Sequence, residues 1–234
     1  AKKNDHGFSV HAGGFIAANR WTRTDNNVVV YDYVAESTEN TMWGFSASNG
    51  GIIEATEANS KKNGWDGFWA RLGAVIEASH SEAVENGRDG FNASDAAAIA
   101  AVASLAQKNG TSGYGLGYHA TSGSMIDADA DYGTGEHSVA DDNSGGGFEA
   151  WNGSTIGANG AQAINNDNDG FHAYLGSSIN AGQFTDVTGL IRKVSISKNN
   201  RRHGYAADNG SSIDVHGAVA EQNGDAGFIA ANGS

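Results

Sequence analysis

The chain has 234 residues, a formal net charge of −13, 34 glycines, no proline and no cysteine. The acidic balance argues against nucleic acid, which is bound through a basic surface. The absence of cysteine excludes a disulfide scaffold and a thiolate zinc site. No apolar run is long enough to read as a membrane span, and no signal peptide is visible.

From the N-terminus onward one phrase recurs, Gly followed by an aromatic: Gly7-Phe8, Gly44-Phe45, Gly67-Phe68, Gly90-Phe91, Gly117-Tyr118, Gly147-Phe148, Gly170-Phe171, Gly204-Tyr205 and Gly227-Phe228. Four of the eight steps between these aromatics are 23 residues and the others are 37, 27, 30 and 34. A period in the twenties marks a solenoid, whose repeats bury a core only against their neighbours.

The columns agree. Two after the aromatic stands Ala in eight coils, with Val10 in the first, and eight after it stands Ile, from Ile16 to Ile213. Five before it stands Asn: Asn40, Asn63, Asn86, Asn143, Asn166, Asn200 and Asn223, with Asn109 in place if the four extra residues of its coil follow it. Apolar and small residues alternate over runs of three to five, broken by Gly, Asn and Asp, which reads as short strands and turns. Three such strands per coil, stacked in parallel, make an all-β parallel β-helix solenoid, and the lack of Pro suits strands that need nearly every N–H. Leucine-rich, ankyrin and tetratricopeptide repeats fail for want of their signatures. Residues 95–107 are Ala-rich, but Ile99 and Ala101 keep the coil columns. The Asn column is expected to satisfy backbone groups at a corner, where Asn tolerates the left-handed conformation. One domain, 1–234, is expected, with eight to nine coils of ~23 residues in a rod about 40 Å long at ~4.8 Å per coil. Both termini fall in mid-coil, so the chain is expected to be a piece of a longer protein or to have its ends covered by other chains.

Asn at the corner, Gly-aromatic-x-Ala in the next strand and then Gly-Ser-x-Ile carry a resemblance. Gly170-Phe171-His172-Ala173 with Gly176-Ser177-Ser178-Ile179, and Gly147-Phe148-Glu149-Ala150 with Gly153-Ser154-Thr155-Ile156, show it. They resemble the right-handed parallel β-helix, or pectate-lyase-like, superfamily, and within it the β-helices of bacteriophage tailspikes and surface-glycan depolymerases. The resemblance implies a right-handed coil, polysaccharide ligands, a homotrimer, and an extracellular or virion-surface setting. It implies no catalytic residue: the Pro-containing signature of the epimerase branch and the Asp pairs and Gly-His-Gly of the polygalacturonase branch are not found.

Two features break the regularity. The coils of 37, 30 and 34 residues gain length between the Ile strand and the next, near 19–30, 130–136 and 183–192. Stacked coils would send all three loops from one corner, and loops on a rigid scaffold are where sites usually lie. The loops of coils five and seven, ~10 Å apart, are expected to frame a cleft. The second feature is the outward side of the Gly-aromatic strand, where Trp69, His119, Glu149, Trp151, His172 and Tyr174 fall by alternation. Trp151 and Tyr174 in one column suggest a stacking platform for sugar rings, with the polar side chains on hydroxyls; a cross-strand pair supporting the sheet is the structural alternative.

Cleavage of a polysaccharide needs paired carboxylates, or a base with a neutralising cation. Asp127, Asp129, Asp141 and Asp142, opposite Arg192, are the catalytic candidates. Asp127, Asp129 and Asp131 alternate, so on a strand they would face one side as hard oxygen ligands. No cofactor is required, and such a row can bind Ca²⁺. A solvated acidic face is the plainer account. Asn165-x-Asp167-x-Asp169-Gly170 begins like an EF-hand loop but has Gly176 where that loop needs Glu. Seven after the aromatic stand Phe15, Ile52, Val75, Ala98 and Met125, which is either an apolar outer strip suited to a homo-oligomer or part of the core. The functional expectation is a polysaccharide-recognising β-helix, which if catalytic would be a lyase or glycoside hydrolase; the alternative is a non-catalytic structural or adhesive rod. Ice binding is set aside because the Thr residues form no column.

Overall fold

The computed structural model describes residues 1–25, 28–185 and 191–234, with side chains described outside 21–33 and 186–192. Three parallel sheets run its length, of nine, eight and eight strands, each strand paired with its counterpart one coil away. Coil three shows the pattern: Phe68–Arg71 in the first sheet, Val75–Glu77 in the second, Glu82–Val84 in the third. We call these the aromatic, isoleucine and serine sheets. The chain is an all-β parallel β-helix. Among the described residues no helix is long and apolar enough to cross a membrane.

Each sheet contributes one inward column. Phe45, Phe68, Phe91, Tyr118, Phe148, Phe171 and Tyr205 are buried. Adjacent rings stack face to face, as at Phe68–Phe91 (4.8 Å, 5°) and Tyr118–Phe148 (4.5 Å, 2°). Such rings prefer to be offset or edge-on when free. Here the strand spacing of the sheet, ~4.8 Å, sets their separation. Ile53, Ile76, Ile99, Ile126, Ile156 and Ile179 fill the second column, and Ser or Ala fills the third. Residues 95–107 form coil, with strands Ala98–Ala100 and Leu105–Gln107.

Gly before the aromatic has a steric reason. A Cβ on Gly90 would lie 2.7 Å from the Gly117 carbonyl oxygen, and one on Gly147 2.6 Å from that of Gly170. The next coil passes too close for any side chain.

Asn forms the expected ladder at the corner between the serine and aromatic sheets. Asn86 N–H and Nδ2 both donate to Asn109 Oδ1 (3.1 and 3.1 Å), and Nδ2 also donates to the Ser60 carbonyl (3.1 Å). The ladder continues across the longer coils, with Asn109 on Asn143 (3.0 Å) and Asn166 on Asn200 (2.9 Å). The left-handed conformation falls one residue earlier than the sequence suggests, on Glu39, Lys62, Glu85, Lys108, Asp142, Asn165, Asn199 and Gln222 (φ 52–57°). The buried Asn itself is spared; its neighbour makes the turn with a side chain on the outer surface, where several pair across coils, as Lys62 does with Glu85. A serine ladder holds the corner before the isoleucine sheet, where Ser124, Ser154 and Ser177 N–H groups each donate to the Oγ of the next serine.

The three insertions leave between the isoleucine and serine sheets, as expected. Two contain antiparallel pairs, Trp21–Asp25 with Val28–Tyr33 and Gln183–Thr185 with Ile191–Val194.

The apolar strip faces outward. Phe15, Ile52, Val75, Ala98 and Met125 pair in register on the isoleucine sheet, and Phe15, Ile52 and Met125 are 58, 40 and 53% exposed.

Candidate functional site

Among the described residues the loops of coils five and seven, expected to frame a cleft, are in contact: Tyr132 packs on Phe184 with ring centroids 4.3 Å apart, and Phe184 is buried. The groove at this corner, about 570 Å³, lies instead between the first and second insertions, bordered by Arg20, Glu57, His80 and Glu136.

Of the loop carboxylates, Asp127 and Asp129 lie together beside Gly157, while Asp131 and Asp141 are held by separate partners. Asp127 ends an isoleucine-sheet strand and accepts the Asp129 N–H (3.2 Å). Asp129 takes Asn159 N–H (2.7 Å); burial raises its pKa more than this bond lowers it. Asp131 closes a turn on Gly133 N–H (3.0 Å) and the Thr134 hydroxyl (2.7 Å), which hold its carboxyl below the usual range. The three keep the expected outward alternation, with Ala128 and Ala130 buried between them. Among the described residues no group of three or more His, Cys, Asp or Glu is placed to hold a metal ion. Asp141 lies on the serine sheet, accepting from Gln107 (2.7 Å) and Asn165 (3.0 Å), with Asp142 beside it. The side chain of Arg192 lies outside the described residues. None of these carboxylates shares a sheet with Trp151 and Tyr174.

The outward side of the aromatic sheet does gather the other candidates. Strand pairing sets Asn92 beside His119, His119 beside Glu149, and Glu149 beside His172; Trp151 pairs with Tyr174. Trp151 is 41% exposed, and its ring lies 6.1 Å from that of Tyr174 at 52°, so the two form a bent shelf and not one flat platform. A shallow depression of about 330 Å³ runs past Trp151, Thr121 and Leu175. Trp69 is not a free ring: Trp43 stacks on one side of it (4.2 Å, 3°), and Arg71 lies over its ring at 5.1 Å.

Sequence reasoning missed a second column beside this face, two residues before the aromatic: His6, Trp43, Asp66, Asp89 and Asp169. Asp89 Oδ2 lies 3.0 Å from His119 Nδ1 and accepts from Asn92 Nδ2 (2.9 Å), while Oδ1 accepts Leu116 N–H (2.8 Å). Asp89 N–H donates to Asp66 Oδ1 (3.0 Å). Burial and the charge of Asp89 push the Asp66 carboxyl up to about 7. Burial pulls His119 down, but Asp89 and then Glu149 outweigh it and raise its pKa. His172 behaves alike: burial opposes its charge, while Glu149, Asp169 and Asp208, 3.4–3.8 Å away, favour it. Three Asp at one offset from the aromatic were visible in the repeat; their approach to His residues in other coils was not.

Seven buried polar side-chain atoms among the described residues lack a hydrogen-bond partner: His6 Nδ1, Trp43 Nε1, Ser46 Oγ, Arg71 Nε, Asn92 Oδ1, His119 Nε2 and His172 Nε2. All seven lie on this face or stack directly over it. His172 Nε2 is 3.4 Å from Asp208 Oδ2, a charge contact without hydrogen-bond geometry. Buried polar groups are normally satisfied, and the exceptions call for a reason. No family model, no curated protein and no solved structure matches this chain.

Proposed function

We propose that this β-helix recognises a polysaccharide along the outward side of its aromatic sheet, in the manner of a tailspike or a secreted glycan-degrading rod. The observation that carries the reading is the concentration of unmet hydrogen-bonding capacity on this one side, next to the exposed shelf of Trp151 and Tyr174. A chain of hydroxyl-bearing rings supplies apolar faces for the aromatics and donors and acceptors for His119, Glu149 and His172. Water could serve the polar atoms, but it would not account for an exposed indole in register with a tyrosine. Cleavage belongs to the same reading: on this face the imidazole of His119, held by Asp89 and set beside Glu149, is the group placed to move a proton. The setting is extracellular or a virion surface, and the outward strip from Phe15 to Met125 is the surface for self-association, as a trimer.

The test is a glycan array with the intact chain, followed by Trp151→Ala/Tyr174→Ala on each glycan that binds. Loss of binding with an unchanged melting temperature is the expected result. Unchanged affinity would move the site off this shelf. The structural rod is favoured by one observation, the unbroken Asn ladder and aromatic stack, which serve stiffness alone; binding to no glycan would select it.

A further inference from the structure

Cations in this acidic chain are mostly paired across coils. Lys61 meets Glu82 (2.7 Å), Lys62 meets Glu85 (3.5 Å), Lys198 meets Glu221 (3.1 Å) and Arg20 meets Glu57 (2.8 Å). Two arginines beside the glycan face depart from that habit. Arg71 lies over the Trp69 ring at 5.1 Å and Arg88 over the Trp65 ring at 5.5 Å. Among the described residues neither makes an ion pair, and Arg71 Nε is buried without a hydrogen-bond partner. The carboxyl with which Arg88 interacts electrostatically, Asp66, is pushed up to about 7 by burial and by Asp89, so near neutrality it offsets the arginine's charge only in part.

The indoles that carry these guanidinium groups form one block. Trp43 stacks on Trp69 and meets Trp65 edge-on at 4.6 Å (87°), and His6 stacks on Trp43 at 5.0 Å. A guanidinium laid on an aromatic face is held in place and still presents its N–H edge. Little rotamer freedom is left to lose when that edge meets an anion, and planar carboxylate or sulfate oxygens match it in two-point contact. The block begins three strands from Trp151 in the same sheet, since the strands of Trp69 and Trp151 are separated by those of Asn92 and His119. At ~4.8 Å per strand the distance is roughly 15 Å, within one oligosaccharide's reach.

We propose that Arg71 and Arg88, on the Trp43–Trp65–Trp69 block, form an anion subsite of the glycan face, so that the ligand is a polysaccharide bearing carboxylate or sulfate groups. This rests on the glycan reading above. The overall charge of −13 would repel such a polymer at a distance. The subsite supplies attraction locally, where the polymer first meets the N-terminal half of the face.

The test immobilises polygalacturonate, hyaluronan, dextran sulfate and neutral dextran, together with a panel of bacterial capsular polysaccharides. The intact chain is compared with Arg71→Gln/Arg88→Gln. Polymers that bind are then carboxyl-reduced or desulfated and measured again, which separates the two anion types. The expected result is selective binding of anionic polymers, weakened roughly tenfold or more by neutralising the polymer. The double variant should bind native and neutralised polymer alike, and Arg71→Lys/Arg88→Lys should recover part of the difference. Equal affinity of the intact chain for native and neutralised polymer overturns the anion subsite and leaves glycan recognition standing. Binding to no polymer overturns both. A second readout needs no glycan: iodide should quench tryptophan fluorescence less in the Gln variant than in the intact chain, while neutral acrylamide quenches both alike. Equal iodide quenching would mean that the arginines create no local anion attraction.

Discussion

The corner ladders and the outward side of the aromatic sheet use similar polar residues to opposite ends. At the corner, Ser60 Oγ donates to the Gly67 carbonyl (2.8 Å) and accepts from Asn63 Nδ2 (3.0 Å). On the outward face, Ser46 is just as buried, yet its hydroxyl has no partner. The corner repeats one solution in every coil, so each polar atom finds its mate one rung along. The face changes residue from coil to coil, from Ser46 to Trp69, Asn92, His119, Glu149 and His172, so no one match repeats along it and some atoms are left without a mate. Regularity satisfies every rung, irregularity leaves polar atoms open, and the two lie a few residues apart on the same coil.

The comparison breaks most visibly at the aromatic stack. Phe171→Ala should destabilise by about 3–5 kcal/mol, the range for emptying an aromatic core position, while Trp151→Ala should cost well under ~1 kcal/mol. Denaturant titration of both would check this, and equal losses would place Trp151 in the core.

Proton linkage gives the next effect. Asp66 in the folded chain titrates at about 7, against 3.8 for an unperturbed Asp, so between these values the folded state holds more protons than the unfolded one. Stability therefore falls as pH rises through that window. His119, also raised, contributes stability that is complete below the ordinary histidine range and is lost as pH climbs past its folded value. Both act in the same direction, so the melting temperature should drop from about pH 5 to pH 8. Each pH step of one between the unfolded and folded titration points costs roughly 1–2 kcal/mol. Asp66→Asn should flatten much of that slope. A melting temperature that rises over this range would mean that Asp66 ionises freely.

Within the ladder, Asn166→Ala should cost about 1–3 kcal/mol, because Asn143 N–H and Nδ2 lose the acceptor they share and the Ala140 carbonyl loses a donor. The smallest effect sharpens the contrast: Ser60→Ala should destabilise by about 1 kcal/mol, whereas Ser46→Ala should be neutral or slightly stabilising, since it removes a buried hydroxyl that bonds to nothing. Equal losses from the two serine variants, in calorimetry, would show that the face is as well satisfied as the corner.

The repeat was legible because stacking imposes it. A parallel coil can place Phe91 only over Phe68, so the aromatic, Ile and Asn columns had to appear in sequence. Asn109 could be placed in the ladder despite the extra residues after it for the same reason. The candidate face was legible in its outward column, which alternation gives directly. Its partners were not. Asp89 reaches His119 across a coil boundary 30 residues away, and that contact depends on how the corner before each aromatic folds over the sheet. How the loops lie was not legible either, since sequence sets where they depart and not what they touch: among the described residues Tyr132 and Phe184, both aromatic and both on insertions, found each other. The position of the left-handed residue was missed for a similar reason. Asn tolerates that conformation, but here its side chain is committed to the ladder, and the exposed residue before it turns instead.

The face-to-face stack also sets how the molecule comes apart. Within the column each ring stacks on the one before and the one after, so it behaves as a chain of links in series. Phe91, for example, lies 4.8 Å from Phe68 and 4.9 Å from Tyr118. A local opening at one coil should therefore pass to its neighbours rung by rung, and amides of adjacent coils should exchange at similar rates. The outward side of the aromatic sheet spans many such links, so a disturbance in a distant coil would reach the shelf at Trp151 only through every rung between them.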